Sequence, residues 1–198
     1  MRTKNYLLVL LYFALVCSCS KIQNDSNTNI DKKLSENSIF NLQTVWNTQD
    51  SSQIKLRDLQ GKVLVMVMIY TSCKAACPRL VADMRDIESQ IPKNYLNDLT
   101  FVLISIDPKT DKPGRLKRFA KANKMDASHW IFLQGTESDT REFANVMAVK
   151  YKEISPLDFS HSNIISVIDR SGEMVFQQEG LGVNNKETIN KIIETVKN

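Results

Sequence analysis

One segment constrains the fold more than any other. Eight consecutive apolar residues, Val63-Leu64-Val65-Met66-Val67-Met68-Ile69-Tyr70, run almost directly into Cys73, Cys77 and Pro78. An unbroken run of this length, rich in β-branched side chains, suits a strand buried on both faces of a sheet. Beyond it Leu80, Val81, Met84, Ile87 and Ile91 recur at helical spacing and stop at Pro92 and Asn94, which predicts a helix. A second apolar run, Leu99 to Ile106, closes at Asp107-Pro108. Pro113-Gly114 then opens a basic helix over Leu116 to Asn123. Trp130 to Leu133 reads as a third short strand, and Gly135-Thr136-Glu137 leads into a helix over Thr140 to Val149. Ser162 to Ile168 alternates as a strand and turns at Asp169-Arg170-Ser171-Gly172 toward a hairpin partner at Met174 to Gln177. Asn184 to Val196 is a last amphipathic helix. Upstream, Phe40, Leu42 and Trp46, followed by Ile54 and Leu56, keep a period of two and predict a small hairpin.

Strands alternating with helices mean an α/β sheet. A strand feeding a helix through a cysteine-containing turn, with a late antiparallel hairpin and a closing helix, is the thioredoxin pattern. The expected architecture is a thioredoxin-like fold with an N-terminal β-hairpin extension and a C-terminal β-hairpin plus helix. The cysteines then fall at the carboxyl end of a buried strand, where open α/β sheets place their ligands.

The first residues carry an address rather than a fold. Arg2 and Lys4 precede an apolar run from Leu7 to Val16, too short to span a bilayer as a helix but suited to a signal peptide. Val16-Cys17-Ser18-Cys19 resembles a bacterial lipobox. Cys19 has an aliphatic residue three before it and a small one just before it, whereas Cys17 follows β-branched Val16. Residues 1–18 are therefore expected to be a lipoprotein signal peptide and Cys19 the lipidated first residue. Residues 19–38, rich in Ser, Asn, Asp and Lys, are expected to be a flexible tether. Residues 39–198 form the folded domain, which stands outside the cytoplasm, on the periplasmic side, anchored to a membrane. The chain's net charge is +4, and no dense Lys/Arg cluster is interleaved with aromatics, so nothing points to nucleic acid.

The folded part retains only Cys73 and Cys77. In an oxidising compartment such a pair can form a disulfide, bind a metal, or alternate between the two. At a helix N-terminus the exposed N–H groups and the dipole favour thiolate, the form that binds metal and attacks disulfides. Three residues separate the cysteines, one more than in a dedicated dithiol motif, which lets both sulfurs face one outside atom. His161, in Leu157-Asp158-Phe159-Ser160-His161-Ser162-Asn163, lies in an expected loop before a strand, where this fold approaches the cysteine turn. Two thiolates and an imidazole suit copper: thiolate favours Cu(I), and imidazole accepts either oxidation state. His129, before the third strand, reads as a strand-edge residue.

The chain resembles the Sco/SenC family of copper-binding assembly factors for cytochrome oxidase. The resemblance rests on Thr71-Ser72-Cys73-Lys74-Ala75-Ala76-Cys77-Pro78, on Ser105-Ile106-Asp107-Pro108-Lys109-Thr110-Asp111-Lys112-Pro113, and on Phe159-Ser160-His161-Ser162 with the turn after its strand. Leu133-Gln134-Gly135-Thr136 adds to it. It implies copper held by Cys73, Cys77 and His161, and a metallochaperone that assists assembly of a dinuclear copper (CuA) centre. The recipient is then the CuA-bearing subunit of a respiratory enzyme, cytochrome c oxidase or nitrous-oxide reductase. The other reading is a thiol–disulfide oxidoreductase in which Cys73 and Cys77 form the redox pair and keep the recipient's cysteines reduced. The family often has Pro and Asp after the first cysteine; here Lys74 and Ala75 stand instead. Losing that carboxylate and gaining an ammonium should favour Cu(I) over Cu(II). Asp107 and Asp111 read first as loop-shaping residues. Lys109, Lys112, Arg115, Lys117, Arg118 and Lys121 read as a solvated helix face.

Overall fold

The computed structural model describes residues 34–74, 76–156 and 158–198. The signal segment, Cys19 and most of the tether lie outside the described residues. The compact unit runs from Leu34 to Asn198, and Leu34 already packs against its core. Among the described residues no helix is long and apolar enough to cross a membrane.

Seven strands form one sheet in the order β2-β1-β5-β4-β3-β8-β9. They are β1 (Val45–Thr48), β2 (Gln53–Lys55), β3 (Val63–Ile69), β4 (Leu99–Ser105), β5 (Trp130–Gln134), β8 (Ile164–Ile168) and β9 (Met174–Glu179). Two further strands, β6 (Tyr151–Ser155) and β7 (Asp158–His161), pair only with each other. The helices are α1 (Ala76–Gln90), α2 (Pro113–Ala122), α3 (Glu137–Val146) and α4 (Lys186–Lys197). β3, β4 and β5 are parallel, so each connection needs a crossover, and α1 and α2 supply them. β8 then runs antiparallel to β3, and β9 antiparallel to β8. This is the expected thioredoxin-like α/β arrangement. Every residue of β3 is buried, as its unbroken apolar sequence predicts. Each large side chain so placed contributes about 1.5–3 kcal/mol relative to exposure.

Two local expectations fail for visible reasons. The predicted strand over Phe40–Trp46 begins only at Val45, because Ile39–Asn41 is a 3₁₀ turn. Ser38 caps that turn by accepting from Phe40 N, and donates to the Ser171 carbonyl at 2.6 Å. The alternation of Phe40 and Leu42 there reflects turn packing, not a pleat. Gly172, at φ +87°, makes this possible: a Cβ would stand 2.3 Å from Ser38 Oγ and 2.6 Å from the Phe40 ring. The second departure is at His161, which ends a strand, β7, rather than lying in a loop. The β6–β7 hairpin escapes sequence reading because its side chains are mostly exposed and polar, leaving no buried face to impose a period.

Candidate metal centre

Sheet register brings three distant segments to one place. Ile69 pairs with Ser105 at the ends of β3 and β4, so the turns that follow leave the sheet side by side. β8 is antiparallel to β3 with Val67 opposite Ile165, so the residues before β8 emerge at that same end. The cysteine turn, the Asp107–Asp111 loop and the end of β7 therefore meet at the carboxyl edge of β3.

Cys77 is the second residue of α1, and its backbone N–H donates to Cys73 Sγ at 3.2 Å. One sulfur thus rests on the helix's unsatisfied donors. Cys73 is half-buried and Cys77 is buried, and no disulfide joins them. Burial pushes the Cys77 thiol well above its ordinary range, and the neighbouring Cys73 adds to this. Cys77 is therefore a neutral thiol at neutral pH, and a metal must displace its proton.

His161 Nε2 lies 3.9 Å from Cys77 Sγ, and His161 Nδ1 lies 3.0 Å from the Ser162 carbonyl. A carbonyl can only accept, so Nδ1 carries the hydrogen and Nε2 turns its lone pair toward Cys77. Burial lowers the His161 pKa below its ordinary 6.5, which keeps the ring neutral and ready to ligate. Among the described residues no three His, Cys, Asp or Glu side chains form a ready-made cluster. What stands here is a sulfur–nitrogen pair, with a second sulfur on the helix end beside it. First-row metal bonds of about 2.3 Å to thiolate and about 2.0 Å to imidazole together exceed the 3.9 Å gap. An ion can therefore bridge the pair at a bent angle, and the donor set suits a soft ion.

Two polar nodes hold these carriers. Asp111, fully buried at its side chain, accepts from Thr71 N at 3.0 Å, from Ser105 Oγ at 2.7 Å and from Thr71 Oγ1. Burial nonetheless raises its carboxyl pKa. Arg115 donates to Thr71 Oγ1 at 2.5 Å and to Ser72 Oγ at 2.9 Å, and lies 3.5 Å from Asp111. The second node is Tyr70, whose hydroxyl donates to Asp158 Oδ1 at 2.5 Å and accepts from Phe159 N at 3.3 Å. Its ring meets Phe159 at 5.2 Å and His161, edge to face, at 5.8 Å.

The other candidates fall elsewhere. Lys74 is exposed on the cysteine turn. Asp107 shapes its own loop, its carboxylate accepting from Thr110 N at 3.2 Å. His129 precedes β5 at the opposite edge of the sheet, 2.5 Å from Glu88, which also accepts from the Trp130 indole at 2.8 Å. The basic stretch is largely spoken for: Lys109 pairs with Glu137, Lys117 with Asp50, and Lys112 donates to the Pro108 carbonyl. Sequence reasoning missed Tyr70, Asp158 and the inward role of Arg115. Arg115 and Asp111 stand four apart at the start of a helix, and that spacing is the one signal that could have paired them.

A cysteine pair on a helix end, facing a neutral imidazole at the carboxyl edge of the sheet, defines a thioredoxin-fold protein with a thiol–imidazole centre. The SCO1/SenC family profile matches residues 34–197, and the chain belongs to that family. It is 29% identical over 137 residues to the SCO1 protein homolog of Bacillus subtilis, a match spanning 68% of this chain and 65% of that relative. A SCO1/SenC family lipoprotein from Bacillus anthracis superposes with a TM-score of 0.71 at 26% identity, over 78% of this chain and 94% of its own. Bradyrhizobium japonicum ScoI, solved with copper bound, superposes with a TM-score of 0.65 at 20% identity, over 77% and 96%. At that identity the likeness speaks for the fold alone.

Proposed function

We propose that this protein binds one copper ion through Cys73, Cys77 and His161 and passes it to the CuA-bearing subunit of a respiratory enzyme, cytochrome c oxidase foremost. The observation that carries the reading is the 3.9 Å approach of a neutral, lone-pair-bearing His161 Nε2 to Cys77 Sγ. A dithiol reductase has no need of that contact, whereas a soft-metal site requires it. Family membership supports copper as the cargo. Cu(I) is the preferred state, because two sulfurs and one imidazole suit it and Lys74 adds positive charge beside the site. Release to a partner proceeds by ligand exchange, thiolate for thiolate. The same cysteines are placed to reduce the recipient's disulfide, so both activities draw on one site. Lipidated Cys19 anchors the domain to a membrane on the extracytoplasmic, periplasmic side.

The test is an anaerobic Cu(I) titration of the reduced protein against a competing chelator, run beside Cys73→Ser and His161→Ala. The expected result is one tight equivalent in the parent, much weakened in both variants. Binding indifferent to His161 replaces the chaperone reading with the reductase reading.

A further inference from the structure

The hairpin that carries His161 stands outside the main sheet and meets the hydrophobic core through Tyr151 and Phe159. In ladder pairing its two strands meet only each other. A cavity of 590 Å³ separates it from the loop after β4 and from α3, lined by Tyr151, Glu153 and Phe159 on one side and by Asp107, Lys109 and Arg141 on the other. The chain connection to β8 fixes only the C-terminal end of β7. The polar contact to its N-terminal end comes from Tyr70, which is 2% exposed and stands three residues before Cys73. The Tyr70 hydroxyl reaches the Asp158 carboxylate at 2.5 Å and the Phe159 N–H at 3.3 Å. Its ring touches Phe159 and His161, alternate residues on one face of β7.

We propose that Tyr70 is a positioning residue for the metal centre: held by Asp158, its hydroxyl latches the β6–β7 hairpin to the end of β3 and so fixes His161 against Cys77. The proposal rests on the copper reading above. One residue at the strand end thereby sets both donor carriers, because the backbone that continues from Tyr70 carries the cysteines. An ion arriving at a latched site meets a ligand already in place. With the latch cut, the hairpin must be ordered at the moment of binding, which weakens affinity.

Tyr70→Phe keeps the ring contacts and removes the hydroxyl, and Asp158→Asn removes its charged partner. Two measurements decide. In the metal-free protein, carbethoxylation of His161 by diethylpyrocarbonate is followed with His129 as internal reference. Both variants are expected to raise the His161 rate several-fold and leave that of His129 unchanged. In the Cu(I) competition, each single variant is expected to bind about tenfold more weakly, the net effect of about one hydrogen bond. The double variant is expected to be no weaker than Tyr70→Phe alone, since Asp158 acts through that hydroxyl. An unchanged His161 rate overturns the latch. A faster rate with unaltered Cu(I) affinity overturns its role in positioning. If the parent binds no tight Cu(I), the copper reading fails by itself, and the carbethoxylation rates still decide whether Tyr70 places His161.

Discussion

Replacing Asp111 with alanine should unsettle the cysteine turn from a residue in the loop after β4. The carboxylate is fully buried and accepts from Thr71 N, Thr71 Oγ1 and Ser105 Oγ. Ser105 is itself fully buried, so its hydroxyl loses its acceptor with no water to replace it. The part-buried Thr71 N–H, at the root of the turn, loses its acceptor as well. Each buried polar group left without a partner costs about 1–3 kcal/mol. Part of this is offset because the variant no longer buries a carboxylate. The net expectation is about 2–4 kcal/mol of lost stability. For a unit of this size each kcal/mol moves the midpoint by about 2–4 °C, so the thermal midpoint should fall by about 5–15 °C. Denaturant unfolding of the reduced, metal-free protein measures the free energy directly. Asp111→Asn, similar in shape but unable to accept from every donor, should lose about half as much. The pH dependence has a definite sign. Burial raises the Asp111 carboxyl pKa in the folded state, so its ionisation opposes folding at neutral pH, and that penalty disappears as pH falls through the raised value. Asparagine does not titrate, so the parent's stability advantage over Asp111→Asn should widen toward acid pH. A loss below about 0.5 kcal/mol for Asp111→Ala, within the range of an ordinary surface change, would refute the reasoning.

Two other expectations concern copper itself. Because Cys77 holds its proton until metal displaces it while His161 is already neutral, Cu(I) affinity should rise about tenfold per pH unit for the Cys77 proton between about pH 7 and 9, with no added slope from His161; chelator competition across that range measures it, and a flat profile would contradict the raised thiol. Lys74→Asp exchanges the ammonium for a carboxylate beside the site and should strengthen Cu(II) binding about five- to tenfold while leaving Cu(I) nearly unchanged; unaltered Cu(II) affinity in an absorbance titration would remove Lys74 from the account.

What could be read from the sequence follows the range of the interactions. The β3–Cys73–Cys77–α1 unit is local, and an unbroken apolar run next to a helical period announces it. The parallel core follows from the same signals at β4 and β5. The β6–β7 hairpin is different. With exposed strands it has no hydrophobic period, and the hydroxyl that docks it is 88 residues away from Asp158. His161 was identifiable as a candidate by residue type and by its place before β8, but its lone pair is aimed by the Ser162 carbonyl, a backbone contact that no composition encodes. Arg115 misled for the converse reason. Surrounded in sequence by lysines it reads as solvated, yet its guanidinium turns inward to Thr71 and Ser72.

These long-range contacts converge on one tripeptide. Tyr70 takes the hairpin through Asp158 and Phe159, Thr71 takes the loop after β4 through Asp111, and Ser72 takes α2 through Arg115. The next residue is Cys73. Every element that borders the centre is therefore referred to the last turn of one buried strand, so the histidine carrier and the cysteine carrier share a single mechanical origin. Cys77 stands on α1, within reach of the Tyr70 backbone, and burial keeps its thiol protonated. The scaffold thus fixes where the donors stand while leaving one of them masked by a proton. On the copper-transfer reading proposed above, this combination suits release of the ion, because reprotonation of Cys77 competes with the metal.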